Sequence, residues 1–478
     1  MLSNYTMESG SDTIFALATP LPPIQGSGIA IVRLSGPNAF PIASRLVGSG
    51  IEPGEIPDRE FKIAVLTHGG KEIDHSGILA FHSPHSYTGE DVIEFHLHGG
   101  LAVIRALERA LIDLDARPAQ PGEFTRRAFL NGRMDLLQAE SVASLIGASG
   151  ETARREALRQ RSGALSGKIQ SVRSRLRDIL ARLEVDFDYP EERVDRIDTA
   201  EAIGSLDPIV SELGTLLDSW KTGRILGGFR LAIIGLPNVG KSSLLNALLR
   251  EDRAIVTAFP GTTRDVVSGT LSFGGVPAEI LDTAGIRLLA EDVDPIDAEG
   301  IMRSWREVER AHLILIVFDT SIPLDRENID LVRKTLQIVE GLDGSRAIVL
   351  LVSNKIDLAG AWNPSGIAAL VDSQGLPHVS ISAKTGEGIE NLRANVRELL
   401  NLEVSPDEIL LTDSRHLSLV NEAHEILEEA RLGLSHAIPQ DIAATELWGA
   451  DRALGRLLGE GIGAADLDDI FSRFCVGK

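Results

Sequence analysis

Cysteine is nearly absent: Cys475 is the single one among 478 residues, so no internal disulfide can form and a reducing compartment is expected. No apolar run approaches the ~18 residues of a membrane span, and the N-terminal stretch carries acids and a Pro-rich TPLPP where a signal peptide would carry an apolar core. The expected location is therefore cytoplasmic, with no membrane partner. Positive charge is scarce. Forty-seven Lys and Arg stand against 69 Asp and Glu, a formal net charge of −22. Such a surface disfavours non-specific binding of nucleic acid through phosphates, so an RNA partner would need local basic faces or a second protein to hold it. The remaining composition is ordinary for a soluble protein, 43% apolar and 24% charged. The length suits about three domains.

The most informative stretch is residues 231–245, LAIIGLPNVGKSSLL. Residues 231–234 read as a short buried strand, Gly235 to Ser242 matches G-x-x-x-x-G-K-[ST], and residues 243–250 continue as a helix. In such a loop glycines let successive backbone N–H groups wrap an anion, and the helix N-terminus adds partial positive charge. Phosphate contacts then fall on Asn238, Val239, Gly240, Lys241, Ser242 and Ser243, with Lys241 reaching the β- and γ-phosphates and the Ser242 hydroxyl binding Mg²⁺. The bland alternative is a Gly-rich strand-to-helix turn that happens to carry a lysine.

Residues 229–398 alternate strand and helix as a parallel α/β domain does. After the P-loop come the loop Thr257, Ala258, Phe259, Pro260, Gly261, Thr262, Thr263, a hairpin turning at Gly274-Gly275, and a strand ending in Asp282, Thr283, Ala284, Gly285. Residues 312–318 and 348–353 are apolar enough for central strands, and 379–382 give the last. Ligands of such sheets sit at the carboxyl ends of the strands, where these motifs fall. Asn354-Lys355-Ile356-Asp357 selects the base: a carboxylate at Asp357 can accept hydrogen bonds from the guanine N1–H and 2-amino group, which adenine lacks there. Asn354 would hold the acceptor edge of the ring and Lys355 would pack along the nucleotide. Ser382, Ala383 and Lys384 would bring a backbone N–H to the guanine O6. GTP is the nucleotide implied. Thr263 is the expected second Mg²⁺ ligand, with Asp282 holding the ion through water. After Gly285, where Ras-type enzymes carry a water-orienting Gln, stands Ile286, so hydrolysis needs another device. A monovalent cation held by Asn238 and the Thr257–Thr262 loop is the expectation.

Residues 1–120 read as a small α+β domain, with strands at 28–34, 78–81 and 92–97 and a helix at 101–114. Arg33 interrupts an apolar run directly before Ser35-Gly36-Pro37. In the strand at 92–97 and just beyond it, Glu94, His96 and His98 alternate onto one face, with His82 and His85 upstream. A metal site or a polar strand end satisfied by backbone partners both suit that pattern; the spacing is not a recurrent zinc pattern, which favours the latter. Residues 121–221 are helical, with an apolar stripe at Leu165, Ile169, Val172, Leu176, Ile179 and Leu183. The opposite face of that long helix carries Arg154, Arg155, Arg159, Arg161, Lys168, Arg173, Arg175, Arg177 and Arg182, readable either as a solvated face or as an RNA contact. Residues 222–228 read as a linker. Residues 399–478 are helical again, so the two helical stretches are expected to pack as one discontinuous domain into which the nucleotide domain is inserted.

With DTIFALAT, GIAIVRLSGP, SYTGEDVIEFHLHGG, PGEFTRRAFLNGRMDLLQAES, GLPNVGKSS, PGTTRD, DTAGIR, NKID and the terminal FCVGK in hand, the chain resembles the MnmE (TrmE) family of tRNA-modification GTPases over essentially its whole length. The GTPase motifs alone are shared with ribosome-assembly relatives such as Era and Der; the flanking motifs narrow the match. The resemblance implies an α+β tetrahydrofolate-binding and dimerisation domain, a discontinuous all-α domain and an inserted α/β P-loop GTPase domain. It implies a homodimer, complexed with the FAD-dependent protein MnmG, that modifies the wobble uridine of certain tRNAs at C5 with a one-carbon unit from 5-formyl-tetrahydrofolate or a related folate. Carried over by motif, folate contacts fall on Arg33, Glu94 and Arg133 with Lys478 nearby, and K⁺ ligands on Asn238, Thr257, Phe259 (backbone) and Thr262. Arg133 stands where the family pattern often has Lys, which keeps charge but changes geometry. The family's water-positioning Glu aligns with Asp297 on Gly300 and Trp305, or with Asp294 by counting from DTAG; Asp297 is the assignment adopted. Cys475 can be an incidental thiol. A prenylation box is disfavoured by Gly477 and Lys478, and the resemblance places Cys475 beside the folate at the modification centre. The competing class is a regulatory GTPase switch of the Era/Der type that contributes no modification chemistry.

Overall fold

The structure is a computed structural model that describes residues 12–20, 26–48, 51–188, 198–252, 271–281, 305–306, 308–322, 326–340, 347–358, 375–402, 405 and 408–477. The chain divides into two compact units. One comprises Met1–Ile146, Ala157–Leu213 and Leu419–Lys478; the other comprises Gly147–Glu156 and Gly214–Ser418.

In the first unit, β1 (Ile14–Leu17), β2 (Ser27–Ser35), β3 (Phe61–His68), β4 (Lys71–Phe81), β5 (Val92–Gly99) and β6 (Arg117–Pro118) form one sheet in the order β3-β4-β5-β2-β1-β6. All neighbours are antiparallel except β1 and β6. Register explains how the sheet sorts its residues. Val32 pairs with Phe95 and Leu34 with Ile93, and all four are fully buried in the core with the helices Ala39–Leu46 and Leu101–Asp113. The residue between them in each strand points to the other face, and there Arg33 pairs with Glu94. The helix Leu101–Asp113 buries Ile104, Leu107, Ala110 and Leu111, the stripe its 3.6-residue spacing dictates.

The helical part of this unit is built on Ala164–Asp188, whose stripe Leu165, Ile169, Val172, Leu176, Ile179 and Leu183 is buried throughout. This helix packs against Gln440–Leu458. The basic residues do not lie on one long helix. Arg154, Arg155, Arg159 and Arg161 sit on Glu151–Arg161, which ends before Gly163 at φ +88°, and the rest sit on Ala164–Asp188. Most of their charge is matched locally. Arg173 and Arg177 pair with Asp451 and Glu460, Lys168 and Arg175 with Glu212, Arg182 with Glu201, and Arg154 with Glu151. This pairing favours a solvated, self-neutralised face over an RNA contact at these positions.

In the second unit, β7 (Phe229–Ile234), β8 (Leu271–Phe273), β9 (Val276–Ile280), β10 (Leu313–Asp319), β11 (Ile348–Asn354) and β12 (His378–Ser380) form a sheet in the order β12-β11-β10-β7-β9-β8. It is parallel except for the β8–β9 hairpin. Because both faces are covered, the central strands carry apolar residues on both sides, at 231–234, 313–318 and 348–352. Leu313, Leu315 and Val317 enter one core and Ile314, Ile316 and Phe318 the other. The stretch expected as a linker is instead the helix Trp220–Leu226, because Ile225 and Leu226 are apolar and bury themselves in the core under this sheet. Leu400, Leu402 and Leu410 join that same core, so the unit continues past residue 398, the expected domain end.

Candidate functional site

At the carboxyl end of β7 the chain turns through residues 235–240 and enters the helix Lys241–Asp252. Three residues of this loop have positive φ, Gly235 at +155°, Asn238 at +64° and Gly240 at +96°. Gly240 is required there, since a Cβ at that position would overlap the Asn354 side-chain amide. The half-buried Lys241 Nζ donates to the carbonyls of Gly235 at 2.8 Å and Leu236 at 3.0 Å, and burial pushes its pKa down. These two partners are neutral carbonyls, so an anionic phosphate in the loop would relieve the desolvation of this ammonium.

β11 ends in Asn354, which is 1% exposed. Its Nδ2 donates to the Val239 carbonyl at 2.8 Å, and its Oδ1 accepts from the Ala383 N–H at 3.0 Å. A single side chain thus fastens the P-loop to the 382–384 segment. The fully buried Ser382 hydroxyl donates to Asp357 Oδ1 at 2.6 Å, orienting that carboxylate. Lys355 Nζ donates to the Asn238 carbonyl at 2.8 Å and to Asp319 Oδ2 at 2.5 Å. These elements surround a cavity of about 490 Å³ lined by Gly240, Ser243, Asn246, Asn354, Asp357 and Lys384 among others, a size that suits a nucleoside.

A second constellation lies in the first unit. Arg33 donates through Nε to Glu94 Oε1 at 2.9 Å, with Nη2 2.8 Å from the same oxygen. The guanidinium carbon lies 5.6 Å from the Tyr87 ring centroid and 5.7 Å from that of Phe124. The Tyr87 hydroxyl shares a 2.8 Å hydrogen bond with Thr125, and burial pushes its pKa up, keeping it neutral. Arg133 runs beside Gly89 of the same loop that carries Tyr87, and Asn131 Nδ2 donates to the Thr88 carbonyl at 2.7 Å. The C-terminal segment arrives at this place: the Cys475 carbonyl accepts from the Gly122 N–H at 3.3 Å, two residues before Phe124, and Gly477 lies against Leu17 of β1. Cys475 itself is exposed. His98 Nδ1 bonds Asp74 at 2.7 Å, and among the described residues no cluster of His, Cys, Asp and Glu is arranged to hold a metal ion.

Residues 136–475 match a family model described as MnmE helical domain, and residues 13–133 match one described as GTP-binding protein TrmE N-terminus. The chain is 41% identical over 477 residues to the tRNA modification GTPase MnmE of Symbiobacterium thermophilum, covering 98% of this chain and 100% of that protein. It is also 41% identical over 476 residues to a protein of that name from Thermus thermophilus, covering 99% and 100%. A third, from Lactiplantibacillus plantarum, is 37% identical over 481 residues, with 98% of each chain covered. The chain belongs to the MnmE family. The described residues of this MnmE-family chain bring together Asn238, Val239, Gly240, Lys241, Ser242, Ser243, Asn354, Lys355, Asp357, Ser382, Ala383 and Lys384 at one end of one sheet. In the first unit they pair Arg33 with Glu94 across β2 and β5, set Arg133 beside Gly89, and set the Cys475 carbonyl against Gly122. Thr257, Ala258, Phe259, Pro260, Gly261, Thr262, Thr263, Asp282, Thr283, Ala284, Gly285, Asp294, Asp297 and Lys478 lie outside the described residues.

Two features escaped the sequence reading of this MnmE-family chain. One is Asp319, an acid at the end of the apolar strand β10, which the run of apolar residues before it could have flagged. The other is the partly buried network beneath the Arg33 constellation. There Arg127 bonds Asp12, Glu90 and Glu123, and Arg117 bonds Asp12 and Glu123. Burial alone would raise the Asp12 and Glu123 carboxyls, but the hydrogen bonds from Arg117 and the nearby guanidinium charges hold both below the usual range.

Proposed function

We propose that this chain is a GTP hydrolase whose turnover organises modification of the tRNA wobble uridine at C5, acting as a homodimer with an FAD-dependent MnmG partner. The observation that carries the guanine assignment is the convergence of Lys241, Asn354 and a Ser382-oriented Asp357 on one cavity. Lys241 and the P-loop amides bind the phosphates, and Asp357 accepts from the guanine N–H groups that adenine lacks. Ser242 and Thr263 would hold Mg²⁺, with Asp282 acting through water. Asn238, Thr257, Phe259 and Thr262 would hold K⁺, and these cations supply positive charge against the charge developing on the transferred phosphoryl group. Asp297 would position the attacking water. Ile286, standing where a glutamine would serve, supports a device of this kind.

The Arg33–Glu94 pair, its two aromatic neighbours and the arriving C-terminal segment support a tetrahydrofolate site shared by Arg33, Glu94, Arg133 and Lys478, with Cys475 close by. A regulatory switch of the Era/Der type would have no use for such a site. The acidic net charge of −22 supports a division of labour in which the complex, rather than this chain alone, supplies most of the tRNA affinity. Steady-state turnover of GTP and ATP in K⁺ and in Na⁺ tests the reading. GTP-selective, K⁺-stimulated hydrolysis is expected; equal rates in the two salts would remove the K⁺ assignment, and equal use of ATP would remove the guanine assignment. Asp297→Ala leaving turnover unchanged would reject Asp297. Titration with 5-formyl-tetrahydrofolate, expected to weaken at least about tenfold in Arg33→Ala through loss of a charge-assisted contact, tests the second site.

A further inference from the structure

The sheet order sets β10 between β7, which leads into the P-loop, and β11, which leads into Asn354 and Lys355. Asp319, the last residue of β10, is paired in register with Asn354 and thus sits between the phosphate-binding and base-reading motifs. Its side chain is 9% exposed. Its Oδ1 accepts from the Ser321 N–H at 2.9 Å and the Ser321 hydroxyl at 2.6 Å, while Oδ2 accepts from Lys355 Nζ at 2.5 Å. The same ammonium donates to the Asn238 carbonyl at 2.8 Å. The next residue, Thr320, donates through both its N–H and its hydroxyl to the Asn354 carbonyl, at 2.9 and 2.8 Å. The lysine itself lies at φ +69°, a left-handed backbone costly for its side chain, while Asn238 lies at φ +64°, which an asparagine tolerates. A lysine persists there only when its surroundings over-determine it.

We propose that Asp319 is a positioning residue for nucleotide recognition: by fixing Lys355 against the Asn238 carbonyl, it locks the base-reading loop and the P-loop into one preformed cradle. A surface ion pair would carry little weight. This one is set apart because Asp319 is nearly buried, has its second oxygen occupied by Ser321, and acts through a lysine in left-handed backbone that bridges two loops. Loss of the carboxylate frees Lys355 to leave Asn238, and both loops then relax independently before nucleotide can bind. The inference rests on the guanine-nucleotide reading of the cavity and adds to it a residue that touches no nucleotide.

The test is equilibrium binding of a fluorescent GDP, and of ADP by competition, to the full-length protein and its variants. Asp319→Ala is expected to raise the GDP dissociation constant at least about tenfold, a loss typical of one truncated charge-assisted hydrogen bond. Asp319→Asn, which keeps an acceptor for Lys355, is expected to fall between. In a Lys355→Met background, Asp319→Ala is expected to change the constant less than about twofold, since the partner through which it acts is gone. Ser321→Ala, which loosens the carboxylate without removing it, covers the case of a poorly folded alanine variant and is expected to shift binding in the same direction. A wild-type protein that prefers GDP while Asp319→Ala binds within twofold of it overturns the positioning role and leaves the guanine reading standing. Effects of Asp319→Ala and Lys355→Met that simply add also overturn it. A wild-type protein that binds ADP as tightly as GDP overturns the guanine reading and this inference with it.

Discussion

Replacing Arg173 by Ala probes the joint between the two helical stretches of the first unit. Arg173 is 6% exposed and donates through Nε and Nη2 to Asp451 at 3.0 and 3.2 Å, and through Nη1 and Nη2 to Glu460 at 2.7 Å each. Asp451 is 4% exposed, so truncation strands a buried carboxylate whose remaining partner is Arg177, itself 49% exposed. Breaking a buried pair from one side costs about 3–5 kcal/mol. Arg177 still compensates part of the charge, which sets the expected loss near the lower end, about 3 kcal/mol. For a unit of this size that is a fall of roughly 6–12 °C in its melting temperature. Arg173→Lys keeps the charge but not the forked geometry and is expected to lose less. The pH dependence adds a second signature. For Asp451, burial works to raise the carboxyl but the hydrogen bonds from Arg173 and Arg177 outweigh it, and for Glu460 the Arg173 hydrogen bond dominates; both carboxyls are held below their ordinary range. Stability from a lowered carboxyl is fully present above the unfolded value near pH ~4 and is lost as pH falls through the folded value. The gap between wild type and Arg173→Ala is therefore expected to be full at neutral pH and to narrow in acid. Melting followed by far-ultraviolet circular dichroism reads both. A fall of less than about 2 °C at pH 7, or a gap that widens in acid, would refute this account of the joint.

Gly240→Ala places a Cβ over the Asn354 amide at a left-handed backbone position, which alone costs about 1–2 kcal/mol; GDP binding is expected to weaken at least about tenfold, measured by fluorescence titration. His378 lies 2.8 Å from the Ser353 hydroxyl, and burial lowers its pKa, so its stabilising contribution is full above the unfolded value near pH ~6.5 and is lost as pH falls through the folded value. Melting of the second unit is expected to drop between pH 7.5 and 5.5 by less in His378→Gln than in wild type, at about the precision of a one-degree shift. Gly122→Val, at φ +68° with the Phe471 carbonyl oxygen 2.5 Å from an added Cβ, is expected to loosen the C-terminal segment and speed amide exchange over residues 464–477.

The parallel sheet of the second unit was readable because strands covered on both faces carry unbroken apolar runs, as at 313–318 and 348–352. β3 was not. Phe61 and Ile63 stay 52% and 73% exposed, so apolar residues occupy both faces and erase the period of two. β1, with four residues, is too short to separate from a helical turn. The glycines of 222–228 suggested a linker, but Ile225 and Leu226 outweigh them once a core lies beneath. The P-loop could be read because its chemistry is contiguous in sequence. Asp319 could be flagged as an acid closing an apolar run, but not its partners, because these depend on β10 lying between β7 and β11, and strand order is not written locally. The packing of the C-terminal segment against Gly122 and Leu17 could not be read locally, since these residues lie at opposite ends of the chain.

Arg173 and Asp451 are 278 residues apart in the chain, and Gly214–Ser418, the main part of the nucleotide-binding unit, is translated between them. At roughly 5–20 residues per second a ribosome needs on the order of 15 to 55 s to deliver the second after the first. During that interval the apolar stripe of Ala164–Asp188 waits without Gln440–Leu458 to cover it. Nascent chains stalled before residue 440 should accordingly recruit chaperones that bind apolar segments, while their nucleotide-binding unit is already complete enough to fold.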